Sequence, residues 1–222
     1  MEYAKVKVAN LPSVRRLPAY LHLLKQLEAT GLDFVSGTQI SQELKLEPIQ
    51  VRKDLAITGI VGKPRIGFPV TALITAIEAF LGWDNTTDAF LIGAGHLGSA
   101  LLGYQGFEEH GLNIVAAFDN AEEKFGQTIH DTEVFPLEKL PDLAERMHVR
   151  IAIMTVPASE AQSIADFLVD AGIEGIWNFT PVSLRLPANI VVQHEDLACG
   201  LAVLSKKLQH TQQELDDTAC SE

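Results

Sequence analysis

The sequence predicts an α/β chain. A small winged helix-turn-helix domain comes first, a doubly wound parallel sheet follows, and one helix closes the chain. Three observations predict this. Residues 89–98, Ala-Phe-Leu-Ile-Gly-Ala-Gly-His-Leu-Gly, join an apolar strand to a Gly-x-Gly-x-x-Gly turn and the small-residue start of a helix. From there to Gln193, apolar strand patterns alternate with helical ones, which implies a parallel sheet. Before it, two short helical patterns flank a tight turn after a longer helix, and a basic hairpin follows.

The N-terminal part reads in order. After Leu11-Pro12-Ser13, apolar residues recur at Val14, Leu17, Tyr20, Leu21, Leu24 and Leu27, one amphipathic helix ending near Gly31, with Pro18 marking a kink or a later start. Ser36 caps a short helix, and Pro48 suits the first position of a third, Ile49 to Thr58, which carries Gln50, Arg52 and Lys53. The helix-turn-helix region runs from Tyr20 to Gly59, and its last helix suits a major groove. Ile60 to Phe68 is a small wing whose Lys63 and Arg65 would reach phosphates or the minor groove; a plain three-helix bundle with exposed cations is the alternative. Thr71 to Leu81 links to a polar turn, which sets the boundary between residues 1–82 and 83–195.

In the second part each glycine has its own task. Gly93 turns the chain off the strand, Gly95 leaves room for a pyrophosphate, and Gly98 lets the helix pack close to the sheet. The free N–H groups around Ala94, His96 and Leu97 face the phosphates. A second strand, Asn113 to Phe118, ends at Asp119, 21 residues past Gly98, where a carboxylate would accept from the ribose hydroxyls and repel a 2′-phosphate. The next residue is Asn120 rather than Arg, so the cofactor reads as NAD(H) rather than NADP(H). Val134-Phe135, Val149 to Met154, Gly175 to Phe179 and Ile190 to Gln193 read as further strands. Ligands lie at the C-terminal ends of such strands, which puts Val156-Pro157 and Asn178-Phe179-Thr180-Pro181 near the nicotinamide. Residues 196–222 form a closing helix with Leu197, Leu201, Leu204 and Leu208 spaced four, three, four, then an acidic end from Thr211 that reads as frayed. The leucine seam suits a dimer contact or docking onto the chain's own domain.

Composition bounds the function. No apolar run approaches the ~20 residues of a membrane span. The N-terminus has no apolar signal core, and Cys199 and Cys220 form no CxxC, so a reducing cytoplasm is expected and no metal cluster is visible. The net charge of −12 argues against nucleic acid, but its distribution does not. Residues 1–72 hold ten Lys or Arg against six Asp or Glu, whereas the remainder holds seven against twenty-three. A basic first third suits a polyanion.

The combination resembles the Rex family of redox-sensing transcriptional repressors, from about Val14 to Leu208. The resemblance rests on Arg16-Leu17-Pro18-x-Tyr20-Leu21, Gln50-Val51-Arg52-Lys53-Asp54-Leu55, the glycine fingerprint, Tyr104, Gly106-Phe107, Val156-Pro157-Ala158 and Asn178-Phe179-Thr180-Pro181-Val182. It implies a homodimer on inverted-repeat operator DNA, compatible with NAD+ and released by NADH as effector. It implies DNA contacts from Arg16, Gln50, Arg52, Lys53, Lys63 and Arg65, and sensing of the nicotinamide by Tyr104, Asp196 and the Phe179-Thr180-Pro181 loop. Where the family usually reads Ser-Tyr-Phe-Gly after Leu55, this chain has Ala56-Ile57-Thr58-Gly59, and the wing Arg is shifted by one. His22 stands where some members carry an Arg that pairs with the acid matching Asp196, so a His22–Asp196 pair across the dimer is expected. Two other readings stay open: a sensor that acts through a protein partner, and a dehydrogenase. Little chain remains beyond the sheet for a substrate domain.

Overall fold

A computed structural model describes residues 10–219 of the chain. Residues 1–9 of the expected first domain, and Cys220, lie outside the described residues. The chain divides into two compact units. One gathers residues up to Thr87 together with Gln105–Asn113; the other gathers Asp88–Tyr104 and the residues from Ile114 on.

The first unit contains α1 (Leu11–Val14), α2 (Leu17–Ala29), β1 (Phe34–Val35), α3 (Gly37–Glu43), α4 (Pro48–Ala56), β2 (Phe68–Pro69) and α5 (Val70–Leu81). Pro18 falls in the first turn of α2, where a missing N–H breaks no helical bond, so the expected single helix divides at Arg15-Arg16. Ser36 caps α3 by accepting from the Gln39 N–H at 3.0 Å. Leu17, Tyr20, Leu21 and Leu24 of α2 bury against Ile40, Val51, Leu55, Leu73 and Ile77. The wing is tighter than residues 60–68 suggest. Lys63 and Gly67 exchange both backbone hydrogen bonds, at 2.7 and 2.9 Å. Its base pairs β2 antiparallel with β1, Val35 opposite Phe68, a partner that no periodicity announces in a two-residue strand.

The second unit is built on a seven-stranded sheet of order β5-β6-β4-β3-β7-β8-β9. Its elements are β3 (Thr87–Ile92), α6 (His96–Leu102), β4 (Leu112–Asp119), β5 (Thr128–Ile129), β6 (Thr132–Pro136), α7 (Leu140–Met147), β7 (Ile151–Met154), α8 (Ala161–Asp170), β8 (Gly175–Asn178), β9 (Val191–His194) and α9 (Leu197–Ala219). The β4/β6, β3/β7, β7/β8 and β8/β9 pairs are parallel. β5 runs antiparallel to β6, joined to it by His130 and Asp131, both at positive φ. The order reverses between β3 and β7, the crevice where open α/β sheets bind ligands. Phe90, Ile92, Phe118, Met154, Ile164 and Ile176 form the core, with the Phe90 and Phe118 rings edge to face at 5.0 Å.

The closing helix continues to Ala219 rather than fraying from Thr211. Leu201, Leu204 and Leu208 are 65, 55 and 56% exposed, so the seam is not docked on the chain's own domain; the Leu197 side chain lies outside the described residues. On β9, Val191 and Val192 are exposed as well.

Two glycines of positive φ separate clash from strain. At Gly67 (φ +103) a Cβ would lie 2.3 Å from the Val35 carbonyl oxygen, whereas at Gly126 (φ +73) it would meet nothing within 4 Å. Urea unfolding is expected to show Gly67→Ala destabilised by about 2–3 kcal/mol and Gly126→Ala by about 1 kcal/mol.

Candidate functional site

The fingerprint loop is fixed by contacts that tolerate no side chain. β3 ends at Ile92, and Gly93 turns the chain at φ +93 with its N–H donating to the Phe118 carbonyl at 2.7 Å. A Cβ on Gly98 would lie 2.0 Å from the Gly93 oxygen and 2.9 Å from Thr155 Oγ1. The Thr155 hydroxyl donates to the same Gly93 oxygen at 2.7 Å and lies 3.0 Å from that of Ile92. Gly95, at the start of α6, differs: a Cβ there would meet nothing within 4 Å. The close packing belongs to the protein at Gly93 and Gly98, and the open cradle at Gly95 is left for a ligand.

A cavity of about 600 Å³ opens beside this loop, lined by Gly93, Gly95, Asp119, Asn120, Ala121, Lys124, Leu137, Thr155, Val156, Pro157, Glu160 and Ile164 among others. It brings together the expected Gly93, Gly95, Asp119, Val156 and Pro157. Ala94 and Gly98 are buried behind it. His96 is exposed and Leu97 half-buried, both in the first turn of α6 and outside the cavity lining. The cavity does not reach Tyr104, Asn178, Phe179, Thr180 or Pro181. Asn178 ends β8 beside the end of β7 and the other three follow it, with the Phe179 N–H donating to the Met154 oxygen at 2.9 Å. Asn178 makes the loop rigid: Oδ1 accepts from the Thr180 N–H and Nδ2 donates to the Val182 oxygen, both at 2.9 Å.

Asp119 is held from three sides. Oδ2 accepts from the Ala94 N–H at 2.8 Å and the Lys124 ammonium at 2.7 Å, and Oδ1 from the Ala121 N–H at 2.9 Å. Burial pushes the carboxyl up, but Lys124, Ala121 and Ala94 outweigh it and keep it below its ordinary range. Sequence patterns do not point to Lys124, Thr155 or Glu160. None of the three carries a pattern at the level of spacing, because each meets its partner only once the loops fold.

The first unit presents a basic face. Arg52, Lys53, Lys63 and Arg65 are exposed, on α4 and the wing, and Lys63 Nζ lies 5.4 Å from the Phe34 ring centre. A groove of about 700 Å³ beside α4 is lined by Asn10, Ser13, Arg16, Gln50 and Lys53, among others. Arg16 and Gln50 converge on Asp54, which is fully buried. Arg16 donates to it through Nε and Nη2 at 2.6 and 2.8 Å, Gln50 Nε2 at 2.8 Å and the Tyr20 hydroxyl at 2.9 Å. Burial favours the neutral acid, but the Arg16 guanidinium leads a set of donors, Ser13, Gln50 and Tyr20, that holds Asp54 far below the usual carboxylate range. The signal for this hub is an acid on the apolar face of α4, between Val51 and Leu55. His22 Nε2 faces the Gln26 amide nitrogen at 2.9 Å. Asp196 heads α9, accepting from the Ala198 N–H at 2.8 Å. Among the described residues there is no group of three potential metal ligands, and no helix long and apolar enough to cross a membrane.

Residues 10–56 match a family model described as a putative DNA-binding protein N-terminus, and residues 84–182 one described as a CoA binding domain. A redox-sensing transcriptional repressor Rex of Treponema denticola is 57% identical over 90% of this chain and 96% of its own. The Rex of Bacteroides thetaiotaomicron is 43% identical over 89% and 90%. Among solved structures, RSP in complex with β-NAD+ and operator DNA matches at TM-score 0.85 and 33% identity, covering 97% of this chain and 99% of that one. RSP in complex with β-NADH matches at 0.85 and 32%, over 95% and 99%.

The Asp54 hub predicts a pH effect of known sign. A carboxyl depressed by folding stabilises above its unfolded pKa and loses that contribution as pH falls through the folded one. Wild-type stability is expected to decline as pH drops below about 4, and Asp54→Ala to cost on the order of 3 kcal/mol at neutral pH while flattening that decline. Urea titrations across pH check both.

Proposed function

The chain belongs to the Rex family of redox-sensing transcriptional repressors, and on that premise we propose that it represses transcription according to the NADH/NAD+ ratio, binding inverted-repeat operator DNA as a homodimer and leaving it when NADH is bound. The observation that carries the nucleotide part is the open cradle at Gly95 between two glycines locked by backbone contact, with Asp119 at the next strand end. These residues fit a dinucleotide: the loop Gly93–Gly98 would hold the pyrophosphate, and Asp119 would accept from the adenosine ribose. Val156 and Pro157 line the same cavity, and the Asn178–Pro181 loop serves the nicotinamide end. What the nucleotide supplies is a ring that gains or loses a positive charge.

The chain's own residues turn that difference into DNA affinity. Tyr104, Phe179, Thr180, Pro181 and Asp196 form the sensing set, because only groups near the ring can bind its two states unequally, and a ligand shifts an equilibrium only by that inequality. Arg16, Gln50, Arg52 and Lys53 approach the major groove and its phosphates, with Lys63 and Arg65 on the wing. Residues 1–82 do the DNA work, 83–195 hold the nucleotide, and 196–222 pair the subunits. The uncovered stripe of Leu201, Leu204 and Leu208 supports the pairing, since a soluble monomer rarely leaves such a seam bare. The relatives are named repressors, and the protein acts in the cytoplasm as a sensor rather than as an enzyme.

Titration onto a labelled palindromic duplex tests this. With NAD+, binding is expected to weaken steeply with salt, and NADH is expected to abolish it; alanine at Arg52 or Lys53 should lower the salt slope by about 0.9 for each phosphate left without its cation. Equal affinity with either nucleotide contradicts the proposal. The His22–Asp196 pair carries a second expectation: His22→Ala and Asp196→Asn should each change operator affinity, and the double variant should change it no further than either alone. Additive effects rule the pair out.

A further inference from the structure

The Asp119–Lys124 pair suggests more than ribose binding. Asp119 is 11% exposed and Lys124 28%, and both line the nucleotide cavity. The pair is built locally. Asp119 Oδ1 takes the Ala121 N–H, which starts the turn Glu122–Lys124, and that turn returns the Lys124 ammonium to Oδ2 at 2.7 Å. An acid that turned away NADP(H) by charge alone would face the 2′ position with its negative charge uncompensated. Here an ammonium already compensates it, so the repulsion felt by a 2′-phosphate is small. What a 2′-phosphate lacks is a partner, because the nearest cation is already bonded to Asp119.

We propose that Lys124 is a 2′-phosphate site held masked by Asp119, so that preference for NADH over NADPH rests on the carboxylate occupying the ammonium rather than on charge repulsion. This rests on the nucleotide reading above. Removing the acid would leave the ammonium within reach of the 2′ oxygen, where ammonium and phosphate form a charge-assisted hydrogen bond. Asn120 and Glu160 also line the cavity, their side chains 3.5 Å apart, Nδ2 toward Oε2. Asn in place of Asp119 keeps one oxygen to accept from either the Ala94 or the Ala121 N–H and turns its amide nitrogen toward the other.

NADH and NADPH binding, read by nicotinamide fluorescence on the full chain, separates the possibilities. Wild type should bind NADH more tightly than NADPH; absence of NADH binding overturns the nucleotide reading itself. Given NADH binding, Asp119→Asn should gain NADPH affinity by about tenfold or more, and Asp119→Asn with Lys124→Ala should lose that gain. Asp119→Ser serves the same comparison if the Asn variant unfolds on heating below the wild type. No NADPH gain in either Asp119 variant, or a gain that survives loss of Lys124, overturns the inference.

Discussion

The nucleotide domain depends on a contact between two backbones. The Gly98 α-carbon is pressed so close to the Gly93 carbonyl that a methyl group would sit 2.0 Å from its oxygen, and Thr155 closes the same oxygen from the next strand. This joins the end of β3, the start of α6 and the end of β7 at the point where the strand order reverses. Of the three fingerprint glycines at that point, Gly93 and Gly98 are crowded and Gly95 is open. Any ligand that lies against Gly95 inherits the alignment of the whole sheet. At Gly93 and Gly98 the missing side chain makes room for the protein's own atoms, and at Gly95 it leaves open space.

Both units place a buried or nearly buried carboxylate at the centre of their working surface. Asp54 gathers Arg16, Gln50 and Tyr20; Asp119 gathers Lys124 and two backbone N–H groups. In each case burial alone would raise the acid's pKa, and the donors outweigh it. Breaking such a set leaves donors without partners, so each hub constrains geometry more than it adds net stability. On the DNA side the hub fixes which part of Gln50 remains for other partners. One of its two amide N–H donors is used on the carboxylate, so the other N–H and the carbonyl oxygen are what it can still present.

Much of this is legible in the sequence because the informative residues act locally. Glycines at fixed spacing, Ser36 as a cap and Pro48 at a helix start each work through the chain within a few positions of themselves, and Asp119 is marked by its place at a strand end. The leucine seam is legible as a seam, while only the structure shows it uncovered. What stays hidden depends on distant partners. Thr155 bonds to Gly93 across 62 residues, and Arg16 to Asp54 across 38. The pairing of Phe34-Val35 with the wing and the β5–β6 hairpin rest on two-residue strands, too short for an alternation to register. Lys124 escapes notice because one lysine in an acidic loop carries no pattern until the turn folds it back. The family resemblance supplies the dimer and the operator, which no spacing in the chain specifies.

The central claim is that one bound nucleotide and one DNA duplex compete through the conformation of the same dimer, and linkage makes that competition reciprocal. The direct measurement is NADH affinity with and without saturating operator duplex, by calorimetry on the full chain. The account predicts that the duplex weakens NADH by the same factor by which NADH weakens the duplex, while NAD+ affinity is left equal or raised. An NADH affinity unchanged by bound operator would contradict it.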